Sequence, residues 1–313
     1  MVRSTVDDLL FDQSTNEAVR ETLPEWVIGV FEIVTHLGDG ATLIIFATML
    51  YWFGTESRRR QRALVIAIGL GALAISAGMK GIFVRPRPEL AGGYGGYSFP
   101  SAHALGAAAF YGALAVVADT GTRLQRYVLV GTIILLVAFS RIVIGVHYVG
   151  DVLVGVVIGL AFVALVVRSE RAEPGFIFAL AGIIAIFALL LGSREFTTMT
   201  IGASLGATVA WFTVANQPSN PHGASILLLA YLILPLIIAL RAANSILGSP
   251  VPGDPHWLVE LVGYTVATGT ILTVPVIAER MNDWPPVVWL QARLPFTGRT
   301  IDPEKLSEMR TGE

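Results

Sequence analysis

Residues 140–151 read SRIVIGVHYVGD and lie between two apolar runs, near 126–142 and 149–167. A membrane-spanning helix needs roughly 20 mostly apolar residues, and both runs approach that length. Only a tight turn joins them, so they pair as antiparallel neighbours and hold Arg141, His147 and Asp151 at one face of a membrane. Outward from this stretch, two more polar blocks occupy equivalent places. Lys80, followed by Arg87 and Pro88, closes a run near 63–83, and Pro100, Ser101 and His103 open one near 102–118. Cations, imidazoles and a carboxylate kept at helix ends against the cost of lipid insertion call for an anionic partner, and a phosphate group is the natural one.

Composition places the whole chain in the bilayer. Of 313 residues, 54% are hydrophobic and only 14% charged, with a mean hydropathy of +0.68. That is too apolar for a soluble domain and predicts an all-α, polytopic transmembrane bundle. A net charge of −2 and a pI near 6.2 give no global basic surface, which argues against nucleic acid as a partner. The absence of cysteine excludes disulfides, thiol catalysis and thiolate metal sites. Met1 to Leu10 carries Asp7 and Asp8 and lacks the pattern of a cleaved signal peptide, so insertion is expected to rely on the spans themselves.

Nine apolar runs are long enough to read as spans, near 38–54, 63–83, 102–118, 126–142, 149–167, 175–192, 199–215, 224–242 and 257–278. Residues 19–35, which mix Arg20, Glu21, Glu25 and Glu32 with apolar positions, read as a helix lying in the interface. Arg58, Arg59, Arg60, Arg62, Arg123, Arg126, Arg168, Arg171, Arg280, Arg293, Arg299, Lys305 and Arg310 all fall on one side of a nine-span arrangement. The positive-inside rule makes that side cytoplasmic, with Arg194 and Arg241 as minor exceptions. The three polar blocks then share the extracytoplasmic face. The expected organisation is a five-span core over 1–171 that includes the interfacial helix, four further spans over 172–280, and a cytoplasmic tail over 281–313. In the second region Gly202 and Gly206 form a GxxxG pair suited to close helix contact.

The spacing inside each block carries chemistry. His147 and Asp151 are four residues apart, so on a helix they share a face, and the carboxylate can fix one ring nitrogen while the other stays unprotonated and nucleophilic. Gly155 and Gly159 extend that stripe and admit a neighbouring helix. Ser101 stands where a helix begins, suited to an N-cap or an anion contact, and His103 can protonate a leaving oxygen. Lys80, Arg87 and Arg141 supply fixed positive charge for a phosphoryl group. Each feature has a plainer alternative: Asp151 as a capping carboxylate beside a chance histidine, Ser101 as an ordinary cap, and the cations as interfacial anchors, the reading preferred for Arg85. The loop from Glu89 to Phe99, rich in glycine with Tyr94 and Tyr97, reads equally as an interfacial lid or a plain connector.

Lys80-x6-Arg87-Pro88, Pro100-Ser101-Ala102-His103 and Ser140-Arg141-x5-His147-x3-Asp151 resemble the three signature motifs of the type 2 phosphatidic acid phosphatase superfamily. Thr35-His36-Leu37-Gly38-Asp39 is similar to the segment before the first core helix in bacterial members, and the likeness covers about residues 20–168. The resemblance implies a metal-independent hydrolase of lipid phosphates or polyprenyl diphosphates that needs no cofactor. His147 would attack phosphorus, Asp151 orient it, and His103 protonate the leaving group. Lys80, Arg87, Ser101, Ala102 and Arg141 would hold the phosphate. Ala102 departs from the glycine usual in the family, adding a Cβ beside the phosphate and disfavouring positive φ. The rivals are a lipid phosphotransferase using the same site and a non-enzymatic lipid transporter or scramblase; the residues do not choose the lipid or the oligomeric state.

Overall fold

The structure is a computed structural model that describes residues 10–169, 172–193, 196–233 and 256–293. Arg171, Arg194, Arg241, the second half of the run near 224–242 and the tail beyond 293 lie outside the described residues. Among the described residues the chain is entirely helical, with no strand. The helices are α1 Ser14–Thr22, α2 Glu25–Val34, α3 Gly40–Trp52, α4 Arg59–Phe83, α5 Ala102–Val117, α6 Arg123–Val143, α7 Val149–Arg168, α8 Pro174–Leu190 and α9 Thr197–Val214. They continue with α10 Gly223–Ile233, α11 His256–Glu279 and α12 Pro285–Arg293.

Every apolar run of the sequence falls in a helix where it is described, yet the runs do not make nine equal spans. Among the described residues four helices are long and apolar enough to cross a membrane, or five if the pair α2 and α3, bent by 50° at the break around Asp39, counts as one span. α5 has only 16 residues, about 24 Å at ~1.5 Å per residue, short of a hydrocarbon core of about 30 Å. The expected interfacial helix over 19–35 is in fact two helices. Leu23 is extended and Pro24 caps α2, because proline removes an N–H and pushes the residue before it out of helical conformation.

α4 is the axis of the molecule. It is buried on opposite faces: Val65, Ile68 and Ala72 pack with α5, α6 and α7, whereas Ala63, Ala67 and Ala74 pack with α8 and α9. Small residues let the neighbours approach closely. A Cβ on Gly202 or Gly206 would lie 2.3 or 2.0 Å from the carbonyl oxygens of Leu261 and Thr265, so the GxxxG pair seats α9 directly on α11. Thr268 Oγ1 donates to the Ala203 carbonyl at 2.8 Å across that contact. The arginines at the start of α4 secure neighbouring helix ends. Arg59, although buried, donates to the Gln217 carbonyl at 2.9 Å and to that of Val214, and Arg60 pairs with Glu173 at 3.0 Å.

α4, α5, α6 and α7 alternate in direction, so the end of α4, the start of α5, the end of α6 and the start of α7 meet at one end of the bundle. The break between α2 and α3 and the helix α1 lie at that same end, through hydrogen bonds from Arg141 to Thr35 at 2.6 Å and from Asn16 to the His147 carbonyl at 3.0 Å.

Candidate active site

The three polar blocks converge at this end. α4 stops at Val84, whose φ of 47° is a strained value for a β-branched residue and turns the chain into the 85–101 loop. Lys80, one turn earlier, is buried. The loop folds back so that Arg87 Nη1 donates to the Val146 carbonyl at 3.1 Å, while Nε donates to the Gly95 carbonyl at 3.0 Å. The same Nη1 lies 3.1 Å from His147 Nε2.

That last contact fixes the tautomer of His147. A guanidinium has donors and no acceptor, so Nε2 must present its lone pair and the ring proton sits on Nδ1. Asp151 Oδ2 lies 3.4 Å from Nδ1, the side on which that proton is found. The expectation that both residues ride on one helix needs correcting, since α7 begins at Val149 and His147 sits in the preceding turn. The turn is stabilised by Gly145, whose φ is +82°. Asp151 also does what the plainer reading foresaw, accepting the Tyr148 N–H at 2.9 Å near the start of α7, and it accepts a bond from the Ser98 hydroxyl.

Burial, and after it the charges of Arg87, Arg141, Lys80 and His103, hold His147 well below the usual imidazole range. The imidazole is therefore neutral at neutral pH, and all four groups bear on one ring.

His103 lies in the first turn of α5. Ser101 caps that helix, its side chain accepting from the Ala104 N–H at 3.4 Å, while its own N–H donates to the Asp151 carbonyl at 3.0 Å. α7 and α5 are in direct contact behind this bridge. A Cβ on Gly155 would lie 2.9 Å from the Ser101 carbonyl, and one on Gly159 would lie 2.6 Å from that of Leu105. The glycine stripe of α7 thus seats the helix that carries His103. Ala102 is the first residue of α5 and is not among the described residues with positive φ, so alanine brings no backbone strain here. Ser140 takes no part in the cluster, because its hydroxyl bonds to the Val137 carbonyl of its own helix at 2.6 Å.

Several contributors had escaped the sequence reading. Asn16 of α1 is fully buried, and its Nδ2 donates to the carbonyls of Ile142 and His147, each at 3.0 Å. Arg20 donates to the Ile144 carbonyl at 3.0 Å, so α1 is a strap over the turn that carries His147. Phe11 packs edge-on against Phe99 and Tyr148, and the Arg85 guanidinium stacks on it at 3.7 Å. Ser98 and Asp39 are the other two, the latter 2.6 Å from His103.

The pattern of the PAP2 superfamily matches residues 62–174, from α4 to the start of α8. Phosphatidylglycerophosphatase B of Bacillus subtilis (strain 168) is 30% identical over 172 residues, 49% of this chain and 82% of that protein. The chain belongs to the PAP2 superfamily. A crystal structure described as the first transmembrane PAP2 type phosphatidylglycerolphosphate phosphatase from Bacillus subtilis is 26% identical, with a TM-score of 0.46, covering 54% of this chain and 88% of that one. Lys80, Arg87, Ser101, His103, Arg141, His147 and Asp151 lie within the matched stretch, while Asn16 and Asp39 precede it. Helix α8 beyond its first residue and helices α9 to α12 follow it and are additional to the PAP2 region.

Proposed function

We propose that the protein is a multi-pass membrane phosphatase that removes a phosphoryl group from a lipid phosphate or polyprenyl diphosphate. His147 attacks phosphorus through Nε2 and forms a phosphohistidine, and Asp151 holds the proton on Nδ1. Lys80, Arg87 and Arg141, with Ser101 and the backbone N–H groups near Ala102, hold the phosphoryl oxygens and stabilise the charge that develops on them. His103 gives a proton to the leaving oxygen and takes one back from the water that hydrolyses the intermediate. The observation that carries this reading is the Arg87 to His147 Nε2 contact. It leaves a neutral imidazole with its lone pair directed at a phosphate-binding side chain. A phosphate entering there takes over the guanidinium and releases the nitrogen.

Three side-chain cations supply the positive charge of this site, so the reaction proceeds without a metal ion. The arginines around Arg58 to Arg62 at the opposite end of the bundle support, by the positive-inside rule, a cytoplasmic side for that end and an extracytoplasmic side for the site. A headgroup reaches such a site while its chains remain in lipid, which favours amphiphiles such as the phosphatidylglycerophosphate implied by the relative's name.

The test is phosphate release by the purified chain from a panel of lipid phosphates in excess chelator. Full turnover is expected, with His147→Ala reducing it by about a thousandfold or more while the protein remains folded. A metal requirement that chelator exposes would overturn the metal-independent reading, and retained turnover by His147→Ala would overturn the nucleophile. Intact cells given a short-chain lipid phosphate outside should release phosphate to the medium; activity only after lysis would reverse the orientation.

A further inference from the structure

Asp39 stands at the N-cap of α3, a position from which a carboxylate ordinarily accepts backbone N–H groups of the first turn. Its side chain makes no capping bond. Both oxygens go instead to imidazoles: Oδ1 lies 2.6 Å from His103 Nε2, and Oδ2 lies 2.5 Å from His36 Nδ1. The backbone around it is built for this approach. A Cβ on Gly38 would lie 2.6 Å from Val137 Cγ1 and 3.4 Å from the His103 Cβ and carbonyl oxygen, so only glycine lets the α2 to α3 break settle against α5 and α6. Two further bonds pin the segment just before Gly38, from Arg141 to Thr35 Oγ1 at 2.6 Å and from Tyr111 to the Leu37 carbonyl at 2.9 Å.

The placement answers a problem that the site creates for itself. A general acid must carry its proton when substrate arrives, yet burial first, and then the charges of Arg141 and Lys80, oppose a positive charge on His103. A carboxylate in hydrogen-bond contact works against those effects and favours the protonated ring. It also engages Nε2, which leaves Nδ1 as the nitrogen available to the substrate.

We propose that Asp39 is the positioning residue of the acid–base histidine, forming with His103 a second carboxylate–imidazole pair beside that of Asp151 and His147. The inference rests on the phosphatase reading above. In the first step the bond between phosphorus and the leaving oxygen breaks as the bond to His147 Nε2 forms, and the His103 Nδ1 proton passes to the leaving oxygen. In the second step water attacks phosphorus, the N–P bond breaks, and the water proton returns to His103 Nδ1. Asp39 stays ionised throughout and offsets the imidazolium. Exposed His36 holds the other carboxylate oxygen and so fixes the orientation of the pair.

Leaving-group dependence separates this role from a structural one. An alkyl phosphate needs its leaving oxygen protonated, whereas p-nitrophenyl phosphate leaves as a stable phenolate. Asp39→Asn in the full chain is expected to lower kcat about a hundredfold on a short-chain alkyl lipid phosphate and no more than about threefold on p-nitrophenyl phosphate, with KM little changed. In a His103→Gln background the same substitution should add nothing. Equal losses on both substrates, additivity with His103→Gln, or undiminished alkyl phosphate turnover by Asp39→Asn would each overturn the proposal. Should Asp39→Asn fail to fold, Asp39→Glu must show the same discrimination between substrates, and its absence there overturns the proposal equally. Failure of the underlying reading looks different: the unmodified chain would then release no phosphate from either substrate, or His147→Ala would remain active.

Discussion

Arg87 decides which nitrogen of His147 is free, and the same guanidinium helps to keep that ring uncharged. Burial contributes most to the lowered proton affinity of His147, and Arg87 is the first of the cations that add to it. The sign follows directly. A histidine whose folded pKa is depressed stays neutral as pH falls through the ordinary imidazole value of about 6.5. It becomes protonated only further below, and the unfolded chain takes up the proton first. Stability tied to His147 is therefore complete above that value and declines as pH falls beneath it. Arg87→Gln removes one opposing charge while keeping a donor for Nε2. The imidazole titration of His147, followed by NMR of ring-labelled protein in detergent, should have its midpoint below the normal histidine range and shift upward in the variant. An unmoved midpoint would mean that Arg87 has no electrostatic hold on the ring.

At the scale of elements, helix ends do the positioning and a short strap locks them. α1 contributes no side chain to the phosphate cluster, but Asn16 spans the turn between α6 and α7 by bonding to the carbonyls at both its ends, Ile142 and His147. Asn16→Ala leaves those two carbonyls without that donor in a buried place. A loss of about 1–3 kcal/mol in stability is expected, with kcat lowered about tenfold as His147, the proposed nucleophile, loosens. Asn16→Asp should be worse, because a carboxylate cannot donate and carries a charge into a buried site. Thermal unfolding and steady-state kinetics on the same samples check both, and a fully active Asn16→Asp would show that the strap does not position His147. These elements also mark how far the sequence could be read. Lys80, Arg87, His103, Arg141, His147 and Asp151 were legible because each sits at the end of an apolar run, where polarity is costly and spacing is short. The packing role of Gly155 and Gly159 was legible for a similar reason, as a periodic pattern within one helix. Asn16, Ser98 and the pairing of Asp39 with His103 were not, since each contact joins residues 53 to 131 positions apart in the chain. Leu23-Pro24 did carry the local signal that divides the expected 19–35 helix, but the apolar pattern on both sides masked it.

On the scale of the whole molecule, the helices beyond the PAP2 region do more than lengthen the bundle. They share α4 with the catalytic half, and Tyr51 and Trp52 of α3 donate to the carbonyls of Leu272 and Ile271 in α11 at 3.1 and 2.8 Å. One end of them reaches the site itself. A Cβ on Gly81 would lie 2.9 Å from Ser193 Cβ, so the connection after α8 rests against the last turn of α4. Phe196, at the N-cap of α9, places its ring 5.9 Å from Lys80 Nζ. Phe196 has a φ of 60°, a conformation that glycine adopts freely and a bulky side chain does not. A strained aromatic residue facing the cation Lys80, proposed above to hold the phosphate, indicates that the ring is kept for the contact and not for the backbone. Phe196→Gly separates the two effects. Relief of strain should leave thermal stability equal or raised by about 1 kcal/mol, while loss of the cation–π contact should raise KM for a lipid phosphate about two- to fivefold. Unfolding midpoints and KM from one preparation decide the matter. An unchanged KM would confine the second bundle to a scaffolding role, and a raised KM with stability intact would make it one wall of the phosphate site.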